Sequence, residues 1–207
     1  MEQAHSNRKL PLHAEPPMQR TATPNAPLII LDRDGVINED SDDYIKSPQE
    51  WTPIPGSLEA MARLTRAGYR IAVCTNQSGI ARGYYDLATL NAMHAKMRAL
   101  LSPLGGRVDA IFHCPHGPDD HCACRKPLPG LFHRVAERFR VELIGAPAVG
   151  DSLRDLQAAQ AVGAAPVLVR TGKGPRTLAR RDAFAALGLA QVPVYDDLAA
   201  YVASLLD

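Results

Sequence analysis

Leu28-Ile29-Ile30-Leu31-Asp32-Arg33-Asp34-Gly35 sets four apolar residues against an abrupt run of charge. An uninterrupted apolar run of this length suits a strand buried on both faces, as strands of parallel sheets are. The charged residues then fall at its carboxyl end, the edge where open parallel sheets bind ligands. The pattern recurs downstream. Ile71-Ala72-Val73-Cys74 leads into Thr75-Asn76-Gln77-Ser78-Gly79, and Ala110-Ile111-Phe112 into a loop of Cys and His. Ala148-Val149-Gly150 ends at Asp151, and residues 166–169 form a fifth apolar run.

Helical patterns lie between these runs. Leu58, Met61 and Leu64 recur at helical spacing, with Ser57 expected as N-cap and Gly68 as the stop. Asp86 is placed to cap a second helix carrying Leu87, Leu90, Met93, Met97 and Leu100. Pro129 opens a third, continued by Leu131, Val135 and Phe139, and a fourth ends near Gly163. Strand alternating with helix predicts an α/β fold: a Rossmann-like parallel sheet flanked by helices on both faces. Residues 28–174 carry this alternation. Residues 1–27, rich in Pro, His, Gln, Asn and Thr, read as a disordered leader. Residues 175–207 read as a helical tail packed on the same domain through Phe184, Leu187 and Leu189.

Composition narrows the function classes. With 46% hydrophobic residues over 207, the chain can build one real core. A net charge of +1 gives no global field for nucleic acid or a membrane surface. No apolar run approaches the length of a membrane span. Nothing marks a dimer contact, so a monomer acting on a small molecule is expected. Three of the four cysteines fall within eleven residues. A disulfide scaffold would spread them to staple distant loops, so the clustering points to metal in a reducing compartment, the cytoplasm.

The carboxylates carry the chemistry. Asp32 and Asp34 lie two apart after a strand, and in extended backbone would point the same way. Facing carboxylates repel unless a cation lies between them. Asp151 ends another strand and Asp155 follows one helical turn later. Such hard oxygen ligands suit Mg2+. Thr75 and Asn76 offer a hydroxyl and an amide, and Lys126 a point charge. A transferring phosphoryl group needs a nucleophile, a cation and donors on its equatorial oxygens.

In this order, Asp32-x-Asp34-Gly35, Thr75-Asn76, Lys126-Pro127 and Gly150-Asp151-x-x-x-Asp155 resemble the four motifs of the haloacid dehalogenase superfamily. The resemblance implies phosphoryl transfer to Asp32 as nucleophile, with Asp34 as general acid and base. It places Mg2+ on the Asp32 and Asp151 side chains and the Asp34 carbonyl. Thr75 and Lys126 would hold the phosphoryl group, and Asp155 would support the set from behind.

Cys114, His116, Cys122 and Cys124 supply three thiols and an imidazole, with His113 and His121 as competing donors. Four such ligands complete tetrahedral Zn2+ and leave no open position, so the zinc would be structural. It would fix a polar loop and so place Arg125 and Lys126. Cys74, flanked by apolar residues, reads as core. The zinc loop, with Leu31–Asn38 and Thr75–Gly83, resembles more narrowly the heptose bisphosphate and histidinol-phosphate phosphatases, members with no large cap domain. That resemblance implies removal of the C7 phosphate of a sugar bisphosphate, on the route to nucleotide-activated heptose for lipopolysaccharide. The alternatives are histidinol phosphate as substrate, or a non-catalytic zinc-loop binding domain. Arg125, by its forked geometry, is expected to take the non-reacting phosphate. Asn76, Gln77, Ser78, Lys126, Ser152 and the flap residues Asp40 and Tyr44 complete the expected substrate contacts.

Overall fold

A computed structural model describes residues 26–207, so the expected leader, save Ala26 and Pro27, lies outside the described residues. Six strands form one parallel sheet: β1 (Leu28–Leu31), β2 (Arg70–Asn76), β3 (Ala110–Cys114), β4 (Pro147–Gly150), β5 (Ala165–Val169) and β6 (Val194–Tyr195). Seven helices accompany them: α1 (Ser57–Arg66), α2 (Leu87–Leu101), α3 (Gly130–Phe139), α4 (Leu153–Gln160), α5 (Gly174–Leu178), α6 (Asp182–Ala186) and α7 (Leu198–Leu206).

Side chains alternate across each strand, and both faces are buried. Ile29, Leu31, Ile71 and Val73 pack with Met61 and Leu64 of α1, Met93 of α2 and Val202 of α7. Leu28, Ile30, Ala72 and Cys74 pack on the other face with Leu131 and Val135 of α3 and Ala158 of α4. This double burial is why the strands read as unbroken apolar runs. Each fully buried Leu or Ile contributes roughly 1.5–3 kcal/mol.

The strand order is β3-β2-β1-β4-β5-β6. Successive strands step one way from β1 to β3, then the chain crosses back to β4 beside β1. Such a reversal opens a crevice at the carboxyl ends of the two central strands. Asp32 follows β1 and Asp151 follows β4, so topology alone brings them to that crevice.

Three local expectations change. Ser57 is the first helical residue, not the cap: Gly56 caps α1 at φ 79°, and Ser57 Oγ instead donates to the Ile37 carbonyl at 2.6 Å. Leu87 and Leu100 face solvent, and Leu101 takes the buried position at the end of α2. The tail contains a strand: β6 pairs with β5 through Leu168 and Val194, and Phe184, Leu189 and Val192 close a third core cluster, while Leu187, expected to pack, faces solvent. Asp86 does cap α2, accepting from the Thr89 N–H at 2.7 Å.

Candidate active site

Three carboxylates, Asp32, Asp151 and Asp155, bring oxygens within 4.8 Å of one another at the crevice. Lys126, buried, stands among them, 3.0 Å from Asp32 and 2.5 Å from Asp155, and donates to the Cys74 carbonyl at 2.8 Å. Three negative charges against one positive leave a deficit that a divalent cation would fill. Burial, then the neighbouring carboxylates, pushes Asp32 up to about 7 despite Lys126. Burial, with Asp155 and Asp32 beside it, pushes Asp151 up to about 8. The donors are hard oxygens, the chemistry that Mg2+ requires.

The oxygens divide into occupied and open. Asp155 is fully engaged: Oδ1 takes Lys126, and Oδ2 takes the Ser152 N–H at 3.0 Å and hydroxyl at 2.5 Å. It anchors Lys126 and caps α4 rather than offering an open ligand. Asp32 Oδ1 takes the Arg33 N–H at 2.7 Å and Lys126, and Asp151 Oδ2 takes the Lys173 N–H at 2.7 Å. Asp32 Oδ2 and Asp151 Oδ1 take no hydrogen bond from the described residues. Gly35, at φ 81°, lies against Asp151 so closely that any Cβ would strike its carboxylate.

Asp34 does not extend the strand beside Asp32. The chain turns after Asp32, with the Ile37 and Asn38 N–H groups donating to the Arg33 carbonyl at 2.8 and 3.1 Å. Arg33 is 1% exposed, and its side chain folds back onto Asp34 at 2.8 Å. Asn38 and Gln77 donate amide N–H groups to the same carboxylate at 2.9 and 2.8 Å. Burial alone would raise Asp34, but Arg33 with these two amides holds it below the usual carboxylate range. Behind Arg33 lies His94 at 3.4 Å, kept neutral because burial and then Arg33 push it down to about 3.

Several residues expected on substrate hold the protein instead. Gln77 bonds Asp34, Thr75, Arg33 and the Tyr85 hydroxyl, which uses its whole amide. Asn76 exchanges two hydrogen bonds of 3.1 Å with the Lys126 backbone. Ser152 is bound to Asp155. Ser78, Arg125 and Tyr44 do line the cavity, with Thr75 beneath them. On the flap, Asp40 pairs with Lys173 and Asp42 with Arg176. Arg33 and Lys173 were not foreseen. The signal for Lys173 was its place: the Thr171-Gly172-Lys173 run follows a strand end like every other site segment.

In the loop after β3, the four expected donors meet. Sulfurs of Cys114 and Cys122 lie 3.7 Å apart, and those of Cys122 and Cys124 3.6 Å. His116 Nδ1 is 3.6 Å from Cys114 and 3.3 Å from Cys124. A zinc tetrahedron with bonds of about 2.3 Å to S and about 2.05 Å to N has edges of about 3.8 and 3.6 Å. A disulfide would need about 2.05 Å. The spacing fits a metal, and neither His113 nor His121 joins the group. Arg125 follows, donating to the His116 carbonyl at 3.2 Å, so the loop aims it at the cavity.

Residues 20–163 match the family of haloacid dehalogenase-like hydrolases. The chain is 59% identical to the D-glycero-beta-D-manno-heptose-1,7-bisphosphate 7-phosphatase of Bordetella bronchiseptica over 180 residues, 86% of this chain and 97% of that one. It is 58% identical to the enzyme of the same name from Pseudomonas aeruginosa over 179 residues, again 86% and 97% of the two chains. A crystal structure of D,D-heptose 1,7-bisphosphate phosphatase from B. bronchiseptica, complexed with magnesium and phosphate, matches with a TM-score of 0.82 at 59% identity, covering 87% of this chain and 98% of that one. With this match and a complete set of motif carboxylates at the crevice, the chain belongs to the haloacid dehalogenase-like hydrolases.

Proposed function

We propose that the protein hydrolyses the C7 phosphate of D-glycero-β-D-manno-heptose 1,7-bisphosphate through an aspartyl phosphate on Asp32. The observation that carries this reading is the 59% identity over 97% of a relative named for that reaction. Asp32 presents Oδ2 unbonded while Oδ1 is pinned by Lys126 and a backbone N–H, so its orientation is set before substrate arrives. Asp34 rests as a carboxylate under Arg33. A phosphate dianion beside it raises its proton affinity, which makes it the acid that protonates the departing sugar oxygen. Left as a carboxylate, it then takes the proton of the water that attacks the acyl phosphate. Lys126, one donor of which rests on Asp32, and the Thr75 hydroxyl hold the phosphoryl oxygens.

Asp32, Asp151 and the Asp34 carbonyl would hold Mg2+. When bound it screens the nucleophile from the phosphoryl charge. Cys114, His116, Cys122 and Cys124 would hold a structural Zn2+. The four cysteines are unpaired, which suits the cytoplasm. No helix among the described residues is long and apolar enough to cross a membrane. The product would enter the assembly of nucleotide-activated heptose.

The test is kcat/KM with Mg2+ on the α and β anomers of the bisphosphate and on histidinol phosphate, beside Asp32→Asn. The β anomer is expected to lead histidinol phosphate by at least about 100-fold, or about 2.7 kcal/mol. Asp32→Asn is expected to abolish turnover on all three. Asp32-dependent preference for histidinol phosphate would keep the chemistry and reject the substrate.

A further inference from the structure

The cavity over Asp32 is lined by acids and cations in close balance. Arg33, Lys126 and Lys173 are each neutralised: by Asp34, by Asp32 with Asp155, and by Asp40. Arg125 and Arg154 line the same cavity, and among the described residues neither meets a carboxylate. Arg125 gives one N–H to a carbonyl, and the Arg154 side chain makes no hydrogen bond to any described residue. The two stand on one side, because both also line the groove that runs from the cavity along Gly117 and His121 of the zinc loop. Their bases are firm. Arg125 follows the four clustered donors, and Arg154 lies in the first turn of α4, between the two members of the Ser152–Asp155 capping box.

The reacting phosphoryl group gives these guanidiniums no work. It is served by Lys126 and the Thr75 hydroxyl beside the nucleophile Asp32. Two unneutralised arginines on one wall mark a place for a second dianion, and a guanidinium fork binds phosphate oxygens in parallel pairs. We propose that Arg154 joins Arg125 to form the seat of the non-reacting phosphate, which makes Arg154 a specificity-determining residue. The inference rests on the sugar bisphosphate reading above. It adds a residue that carries no motif signal and gives the second phosphate a direction: out of the crevice, toward the groove between α4 and the zinc loop.

The experiment compares kcat/KM on the heptose 1,7-bisphosphate and on the corresponding 7-phosphate, for the wild type, Arg154→Met and Arg154→Lys. A charged hydrogen-bonding contact is worth about 2 kcal/mol, so the bisphosphate-to-monophosphate ratio should fall about 30-fold in Arg154→Met, chiefly through KM. Arg154→Lys should recover part of it. With Arg125→Met added, the losses should fall short of multiplying, since both forks serve one phosphate. Arg180→Met, which removes a nearby charge outside the cavity, should keep the wild-type ratio. Thermal melting confirms that each variant is folded. A wild type that prefers the bisphosphate beside an Arg154→Met with the same ratio would overturn the seat and leave the substrate reading standing. A wild type with no preference for the bisphosphate would overturn the substrate reading and the seat together.

Discussion

The ammonium of Lys126 has three protons, and Asp32, Asp155 and the Cys74 carbonyl take all three. At the residue scale the resting site is therefore satisfied in its donors but not in its charge. A pH signature follows. Without a cation the folded protein keeps protons on Asp32 and Asp151 up to about pH 7 and about pH 8, whereas the unfolded chain releases them near 3.8. Between those limits the folded state binds more protons, so raising the pH removes stability until both folded values are passed. His94 and His113, held down by burial and nearby arginines, act in the opposite sense, and only up to their unfolded value of 6.5. Melting of the metal-free protein should thus fall between about pH 7 and about pH 8.5, and saturating Mg2+, which favours the ionised carboxylates, should remove the fall. A flat metal-free profile over that interval would mean that the carboxylates are already ionised. At this scale Asp32 and Asp151 were legible because each directly follows an apolar run, and Asp34 and Lys126 through their place in the motif order. The sequence could not show that Gln77 and Asn76 use their amides on the protein, since Arg33, Asp34 and Lys126 lie 43 to 50 residues from them in sequence.

Elements were legible in proportion to their length and burial. Strands β1, β2, β4 and β5 are short apolar runs, and both of their faces are covered. β6 is two residues long behind Pro193, with no period to read. The inward face of α2 was set one residue off at its end because Leu100 and Leu101 are equally apolar, and only packing decides between them. The zinc loop was the most legible irregular element, since a thiol cluster in a polar loop has few explanations. Residues 115–125 contain no regular structure, and the four donors stand where hydrophobic packing would otherwise be needed. Chelation of the proposed zinc should lower the melting temperature and reduce kcat/KM by loosening Arg125 and Lys126, while Asp32 stays able to accept phosphate. Melting and kinetics that stay unchanged after metal analysis confirms its removal would refute that role.

At the scale of the whole molecule, the strand order puts the ends of β1 and β4 side by side, and beside them the flap meets the segment after β5 through Asp40 with Lys173 and Asp42 with Arg176. The alternation of runs and helices predicted the sheet. It placed Lys173 at a strand end but could not show its partner Asp40, 133 residues away in sequence, a pairing that exists only once the sheet is assembled. Lys173 holds the flap by its side chain and Asp151, the proposed Mg2+ ligand, by its main-chain N–H. One residue thus joins the proposed substrate flap to the carboxylate that would hold the ion, and through it the two binding equilibria are expected to be linked. Reciprocity then requires that Mg2+ tighten substrate by the same factor by which substrate tightens Mg2+. Lys173→Met keeps the backbone link and cuts the side-chain one. It should bring that shared factor toward one in calorimetric titrations of Asp32→Asn, with each ligand measured in the presence and absence of the other.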